Sequence, residues 1–351
     1  MEATPWTASA GAEPIIELKG LKKRYGEQMA VNGLDLHIAK GEIFGLLGPN
    51  GAGKTTTILM MLGLTEPTGG SVRVCGLDPA RNPLTVKRRV GYMPDDVGFY
   101  EDRTALDNLM FTARLNRIPS AQARQLADRL LERVGLAEAR DKKVGAFSRG
   151  MRQRLGIADV LIKQPDIVIL DEPTLGIDPE GVRELLRLIR ELSRQDGLTV
   201  LLSSHHLHQV QQICDRVGLF VRGELIAQGD VPSLARQLDQ DGTVTVELAV
   251  GGWNDRLAET LASLPGVKEV RAENASEIDS ETGAADAAQI AAPTTEDAVD
   301  TTLVALVCDR DVASEASAAI VQGGGRLLAM KRKQYGLDDI YHRYFEGGTR
   351  A

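Results

Sequence analysis

Ile43-Phe44-Gly45-Leu46-Leu47 runs directly into Gly48-Pro49-Asn50-Gly51-Ala52-Gly53-Lys54-Thr55, and Thr55–Leu64 follows as small and apolar residues. A continuous apolar run of strand length, a glycine-rich bend and a helix pattern stand in that order. The bend fits the phosphate-loop pattern G-x-x-x-x-G-K-[ST] at every fixed position. Gly48, Gly51 and Gly53 allow backbone N–H groups to curl around an anion, and the helix start adds its positive dipole end. Lys54 supplies a point charge for β- and γ-phosphates, and Thr55 a hydroxyl for Mg²⁺. A glycine-rich turn that happens to precede a lysine would not need both flanking elements. The stretch is read as a nucleotide phosphate site, with Pro49, Asn50, Ala52 and Thr56 completing the loop.

Outward from this loop the pattern is regular. Ile15–Leu18 and Leu34–Ile38 read as strands, the second alternating apolar and polar positions. A helix is expected around Ala121–Val134, an apolar strand at Ile167–Leu170, a helix from Pro179 to Gln195 and a strand at Thr199–Ser203. Buried strands alternating with helices predict an α/β fold, a P-loop NTPase core with a largely parallel sheet and an antiparallel N-terminal β subdomain. Near residue 240 the texture changes. Thr243–Val250, Val267–Arg271, Thr302–Cys308 and Arg326–Met330 read as strands, with helices at Asn254–Leu264, Val312–Val321 and Leu337–Phe345. Between them Glu273 to Asp300 contains no Lys, Arg or aromatic residue. Such composition cannot bury enough apolar surface to order, so a flexible acidic insertion is expected at 273–300. The expected organisation is a disordered leader over 1–13, an ATPase-type domain over 14–236 with a helical part near 100–160, and a small α+β domain over 237–351.

Ile167-Val168-Ile169-Leu170 ends in Asp171-Glu172. A buried strand that finishes on two carboxylates places them at the C-terminal edge of the sheet, where open α/β folds bind ligands. One carboxylate for Mg²⁺ (Asp171) and one to polarise water (Glu172) meet the needs of phosphoryl transfer, which depends on positioning and charge stabilisation.

The bulk composition narrows the function. The chain has 351 residues and a formal net charge of −8, with 41 Lys and Arg against 49 Asp and Glu. That balance argues against a general nucleic-acid binder. Cys75, Cys214 and Cys308 are scattered and odd in number, which speaks against a disulfide framework or a metal cluster. No stretch approaches the roughly 18 apolar residues of a spanning helix, and the N-terminus lacks the features of a signal peptide. A soluble protein is expected, held at any membrane by something else.

Between the two nucleotide motifs lies Phe147-Ser148-Arg149-Gly150-Met151, with Ser148 placed 23 positions before Asp171. At this point residues 15–235 resemble the ATP-binding subunits of ABC transporters, in the exporter-type branch, whose signature is usually Leu-Ser-Gly-Gly-Gln. The resemblance implies that Ser148 and Gly150 close over the ATP of a partner subunit in a head-to-tail dimer. It further implies that Asp178, in Pro173–Asp178, reaches across that dimer, that His205 contacts the γ-phosphate, and that Tyr25 stacks on adenine. Glu172, His205 and Lys54 are thereby the catalytic candidates. His206 and His208 are read as surface residues. Two departures stand out. Arg149 replaces a glycine, and either faces solvent or adds positive charge near the partner's nucleotide. Asp95, in Gly91–Asp96, stands where the family usually has Gln, and is a candidate for water or Mg²⁺ contact.

The same resemblance implies a membrane permease as a separate partner, with the chain peripheral at the cytoplasmic face. Gly223–Gly229 and the terminal Leu337–Phe345 resemble motors that export drugs, lipids, polysaccharides or ions. A soluble ABC ATPase acting on ribosomes is the competing reading, but such chains usually carry two ATPase units, and this one has a single phosphate loop and a single signature. A DNA-repair type would need a long insertion before the signature, and Ser148 follows Lys54 by only 94 positions.

Overall fold

The computed structural model describes residues 14–234, 244–274 and 301–332, without the side chains of Leu207 and His208. The chain divides into two compact units between Val231 and Pro232. In the first unit, β1 (Ile16–Tyr25) and β2 (Gln28–Ile38) form a hairpin, followed by β3 (Ile43–Leu47), α1 (Lys54–Met61), β4 (Gly69–Val74), α2 (Pro83–Arg89) and β5 (Val90–Met93). Next come α3 (Ala105–Leu115), α4 (Ser120–Arg133), α5 (Arg149–Leu161), β6 (Ile167–Asp171) and α6 (Pro179–Asp196). The unit continues with β7 (Thr199–Ser204), α7 (Leu207–Gln211), β8 (Arg216–Val221) and β9 (Glu224–Gly229).

The larger sheet has the order β5-β6-β7-β3-β8-β9, parallel except for β9 at the edge. Every residue of β3, β6 and β7 is buried, as expected for strands covered on both faces. The smaller sheet, β2-β1-β4, is antiparallel. Helices α3, α4 and α5 pack on one another, and α5 also packs against β5 of the larger sheet. Helix α6 shows why amphipathic spacing matters: Val182, Leu185, Leu186, Ile189 and Leu192 are buried, one stripe at three- and four-residue steps.

Strand register positions the chemistry. Leu47 pairs with Ser204 and Asp171 with Ser203, so β3, β6 and β7 end side by side. The phosphate loop, the two carboxylates and His205 all leave the sheet from that common edge.

The second unit contains β10 (Val244–Gly251), α8 (Asp255–Ala262), β11 (Val267–Asn274), β12 (Thr301–Cys308), α9 (Ala313–Gln322) and β13 (Arg326–Arg332). Its antiparallel sheet runs β11-β12-β10-β13, which with the β-α-β-β-α-β order is a ferredoxin-like arrangement. Val246, Leu248, Val250, Leu257, Leu261, Val304, Leu306 and Ile320 form its core. The expected insertion starts too early by two residues, because Glu273 pairs with Leu303 and Asn274 with Thr302 within β11 and β12. The rest of that segment, the expected leader and the expected helix at 337–345 lie outside the described residues.

Candidate active site

Loop 48–53 wraps the start of α1 because its backbone takes shapes closed to most residues. Gly53 has φ +106, and a Cβ there would lie 2.3 Å from the Ala30 carbonyl oxygen; only glycine lets the loop approach β2 so closely. Lys54 points back into the loop. Its Nζ donates to the Gly48 carbonyl at 2.6 Å and the Pro49 carbonyl at 3.2 Å, and lies 3.6 Å from Glu172 Oε1. Burial pulls this ammonium below the ordinary lysine range, against the opposing pull of the Glu172 and Asp171 carboxylates.

Asp171 closes the other side. Thr55 Oγ1 donates to Asp171 Oδ2 at 3.0 Å, tying the end of the loop to the end of β6. Burial raises the Asp171 carboxyl, and the Ser203 and Thr55 hydroxyls oppose that shift. Glu172 follows in a left-handed backbone conformation, φ +49, which is uncommon for a residue with a side chain. Its N–H donates to the Ser203 carbonyl at 2.9 Å, and its Oε2 lies 2.9 Å from His205 Nδ1. The other oxygen, Oε1, is buried and accepts no hydrogen bond from the protein.

These groups line a cavity of about 470 Å³ bounded by the phosphate loop from Pro49 to Thr56 and by Asp171 and Glu172. Tyr25, Gln28 and Ala30 of the β1–β2 hairpin form the far wall, with Lys23 Nζ 4.8 Å from the centre of the Tyr25 ring. Asp95 lines the cavity as well, although its Oδ1 also accepts from the Asp96 N–H at 2.8 Å. Tyr92 stands beside it, its hydroxyl pushed up to about 12 by burial and by Asp171 and Asp95.

Five of the site residues expected from the sequence, Gly48, Ser148, Gly150, Asp178 and His205, do not line this cavity, and Gly48 instead accepts from Lys54 Nζ through its carbonyl. Ser148 caps α5, accepting from the Met151 N–H at 3.3 Å. Gly150 lies against Ile177, and Asp178 caps α6 by accepting from Gly181 N–H at 3.2 Å. His205 stands behind Glu172 rather than in the cavity wall. Arg149 does not point to solvent alone: its Nε–H donates to the Leu175 carbonyl. His206 corrects the expectation of a surface residue. It is half-buried, and its ring centre is 4.0 Å from that of His205. The side chain of His208 lies outside the described residues. Sequence reasoning missed Gln28, Ala30 and Tyr92, which reach the cavity through strand pairing and carry no local motif.

The wider likeness agrees with the site. Residues 31–175 match the family described as ABC transporter. The linearmycin resistance ATP-binding protein LnrL of Bacillus subtilis (strain 168) is 36% identical over 73% of this chain and 81% of its own length. This chain belongs to the ATP-binding subunits of ABC transporters. The bacitracin transport ATP-binding protein BcrA of Bacillus licheniformis is 43% identical over 61% of this chain and 69% of its own. Among solved structures, the dimeric post-hydrolysis state of the ATP-binding cassette MJ0796 bound to ADP and Pi superposes with a TM-score of 0.55 at 25% identity, over 61% of this chain and 98% of that one. The subunit binds and hydrolyses ATP, and its hydrolysis powers transport through a separate membrane partner.

Proposed function

We propose that this ABC subunit drives an exporter and that the cavity between the phosphate loop and Glu172 is where its ATP is cleaved. The carrying observation is Glu172 Oε1, buried, without a hydrogen-bond donor, and 3.6 Å from the Lys54 ammonium. A carboxylate oxygen with a free lone pair beside the cation for the γ-phosphate is suited to accept a proton from water. Lys54 and the loop N–H groups neutralise the phosphates, and Tyr25 offers an aromatic face to adenine from the hairpin. His205 holds the second Glu172 oxygen and so orients the first.

The site fits Mg²⁺, a hard cation that takes one or two carboxylates together with phosphate oxygens and water. Thr55 Oγ1 and Asp171 Oδ2, 3.0 Å apart, supply two oxygen donors, and Asp95 stands near them in the same cavity. When bound, the ion would neutralise charge on the β- and γ-phosphates. Ser148, Gly150 and Asp178 then serve a second ATPase subunit, packed head to tail so that each signature covers the other's ATP. Their position outside their own cavity supports this reading, as does the dimeric form of MJ0796.

The working subunit sits peripherally on the cytoplasmic face of the membrane, where a multi-spanning permease turns closure and opening of the pair into alternating access. No helix among the described residues is long and apolar enough to cross a membrane. The relatives named for linearmycin resistance and bacitracin transport favour export of a drug-like cargo. The nucleotide domain is assigned to the residues up to Val231, five short of the expected boundary at 236, and the accessory domain to the unit that begins at Pro232. Affinity purification from membranes tests the assignment. A multi-spanning protein should co-purify and alter the ATPase rate; sedimentation with ribosomes instead would overturn it.

A further inference from the structure

The signature of this chain carries an arginine whose partner lies in its own subunit. Arg149 opens α5, and its Nε–H donates to the carbonyl of Leu175, in the loop that joins Glu172 to Asp178. The same peptide region is fixed from the other side, since the Leu175 N–H donates to the Glu172 carbonyl at 3.2 Å. Leu175 thus closes a turn whose first residue is the water-facing carboxylate and whose last carbonyl is held by a guanidinium. Thr174 Oγ1 bonds Gln209, and the Ile177 N–H donates to the Thr174 carbonyl at 3.3 Å.

The fit around Arg149 is close. Gly176 has φ +71, and a Cβ there would lie 2.9 Å from Arg149 Cδ and 3.0 Å from Nε. The arginine stem occupies the space that a side chain at 176 would need. At the next residue, a Cβ at Gly150 would touch Ile177 at 3.5 Å. The start of α5 and loop 173–178 therefore pack as one body, with Arg149 as the polar link.

We infer that Arg149 is a positioning residue for hydrolysis, holding the loop after Glu172 through the Leu175 carbonyl so that Glu172 stays turned toward Lys54. A charged donor on a carbonyl is among the stronger hydrogen bonds, and here it acts on the peptide that closes the Glu172 turn. The arginine at this position of the signature works in cis, on the timing of cleavage, and does not serve as a charge for the partner's nucleotide. The inference rests on Glu172 being the water-positioning group.

Steady-state ATPase kinetics of the purified full-length chain test it with Arg149→Ala, Arg149→Lys, Gly176→Ala and the double variant that combines Arg149→Ala with Gly176→Ala, each folded by circular dichroism. Arg149→Ala should lower kcat by about threefold to tenfold, within the range by which residues remote from a ligand modulate coupling. KM for ATP should stay within about twofold, since a lost transition-state arrangement appears in kcat. Arg149→Lys keeps a donor of sufficient reach and should recover at least about half of the wild-type kcat. Gly176→Ala should slow the wild type more than it slows Arg149→Ala, because its methyl group displaces the arginine only where one is present. Independent, multiplicative losses at 149 and 176 would overturn the inference. So would a loss in Arg149→Ala confined to KM, the signature of a charge acting on nucleotide. Glu172→Gln, measured alongside, reports on the underlying assignment separately. An inactive Glu172→Gln with independent effects at 149 and 176 removes only the role of Arg149, whereas a fully active Glu172→Gln removes both.

Discussion

Replacing Glu172 by Gln keeps the side chain's shape and removes its charge from between Lys54 and His205. Lys54 Nζ is 3.6 Å from one carboxylate oxygen and His205 Nδ1 is 2.9 Å from the other. At an effective dielectric of about 20, unit charges 3.6 Å apart attract by about 5 kcal/mol. Lys54 and Glu172 are nearly buried, at 6% and 12% exposure, so desolvation offsets much of that attraction and the fold should survive the change. Chemistry should not survive it. Loss of a general base lowers the rate by about 10²–10⁴-fold, which is about 3–5 kcal/mol of barrier. Binding should move the other way. The loop N–H groups, Lys54, Thr55 and Asp171 are untouched, and one negative charge near the γ-phosphate is gone. Relief of about 1 kcal/mol of repulsion would tighten ATP about fivefold. Single-turnover hydrolysis, equilibrium binding of labelled ATP and size-exclusion chromatography read the three consequences: slow cleavage, tighter binding and an ATP-dependent dimer that persists. Hydrolysis at the wild-type rate would refute the role of Glu172. ATP binding weakened tenfold or more would show instead that Glu172 serves to hold Lys54.

Lys54→Ala removes the cation and its bonds to Gly48 and Pro49, and should weaken ATP binding by about 10- to 100-fold, the weight of a charged hydrogen-bonding group; isothermal titration with Mg-ATP checks this. Asp159, on α5, has a buried Oδ1 without a hydrogen-bond partner, and burial pushes its carboxyl up to about 6. Below about pH 4 it is protonated in both folded and unfolded chains, and between there and about pH 6 it ionises first in the unfolded chain, so stability falls as pH rises. Asp159→Asn should therefore leave stability unchanged near pH 4 and raise it by about 1–3 kcal/mol at about pH 7.5; urea melts at both pH values decide, and equal effects would refute the buried-charge argument. Asn274 and Thr302 are paired across β11 and β12, so a Gly/Ser turn of about four residues should replace 275–300 with ATPase activity and melting temperature retained, and loss of either would give that segment a structural role.

The parts of the site visible in the sequence are those built from consecutive residues. Gly48–Thr55 and Asp171–Glu172 each occupy one strand end, where local geometry and chemistry are set by neighbours in the chain. The parallel core was legible for the same reason: Ile43–Leu47 and Ile167–Leu170 are apolar throughout, as strands covered on both faces must be. What depends on pairing between distant segments was not legible. Tyr92 joins the cavity wall because β5 lies beside β6, and the order β11-β12-β10-β13 arises from contacts that no local pattern encodes. Arg149 is the sharpest case. Its position in the signature suggested solvent or a partner's nucleotide, whereas the carbonyl it meets lies 26 residues further along the chain.

Glu172 sits where the backbone is least suited to it. A left-handed conformation is natural for glycine and tolerable for asparagine, and for a glutamate it is held against a conformational penalty of about 1–2 kcal/mol. Glycine and asparagine, which relieve this penalty, also remove the carboxylate. With Glu172 as the proposed water-positioning group, thermostability and turnover are set in opposition at this one position. A variant library ranked by melting temperature alone would enrich substitutions at 172 that are sturdier and silent. Stabilising the subunit for structural or biotechnological work calls for changes elsewhere, with this residue held fixed.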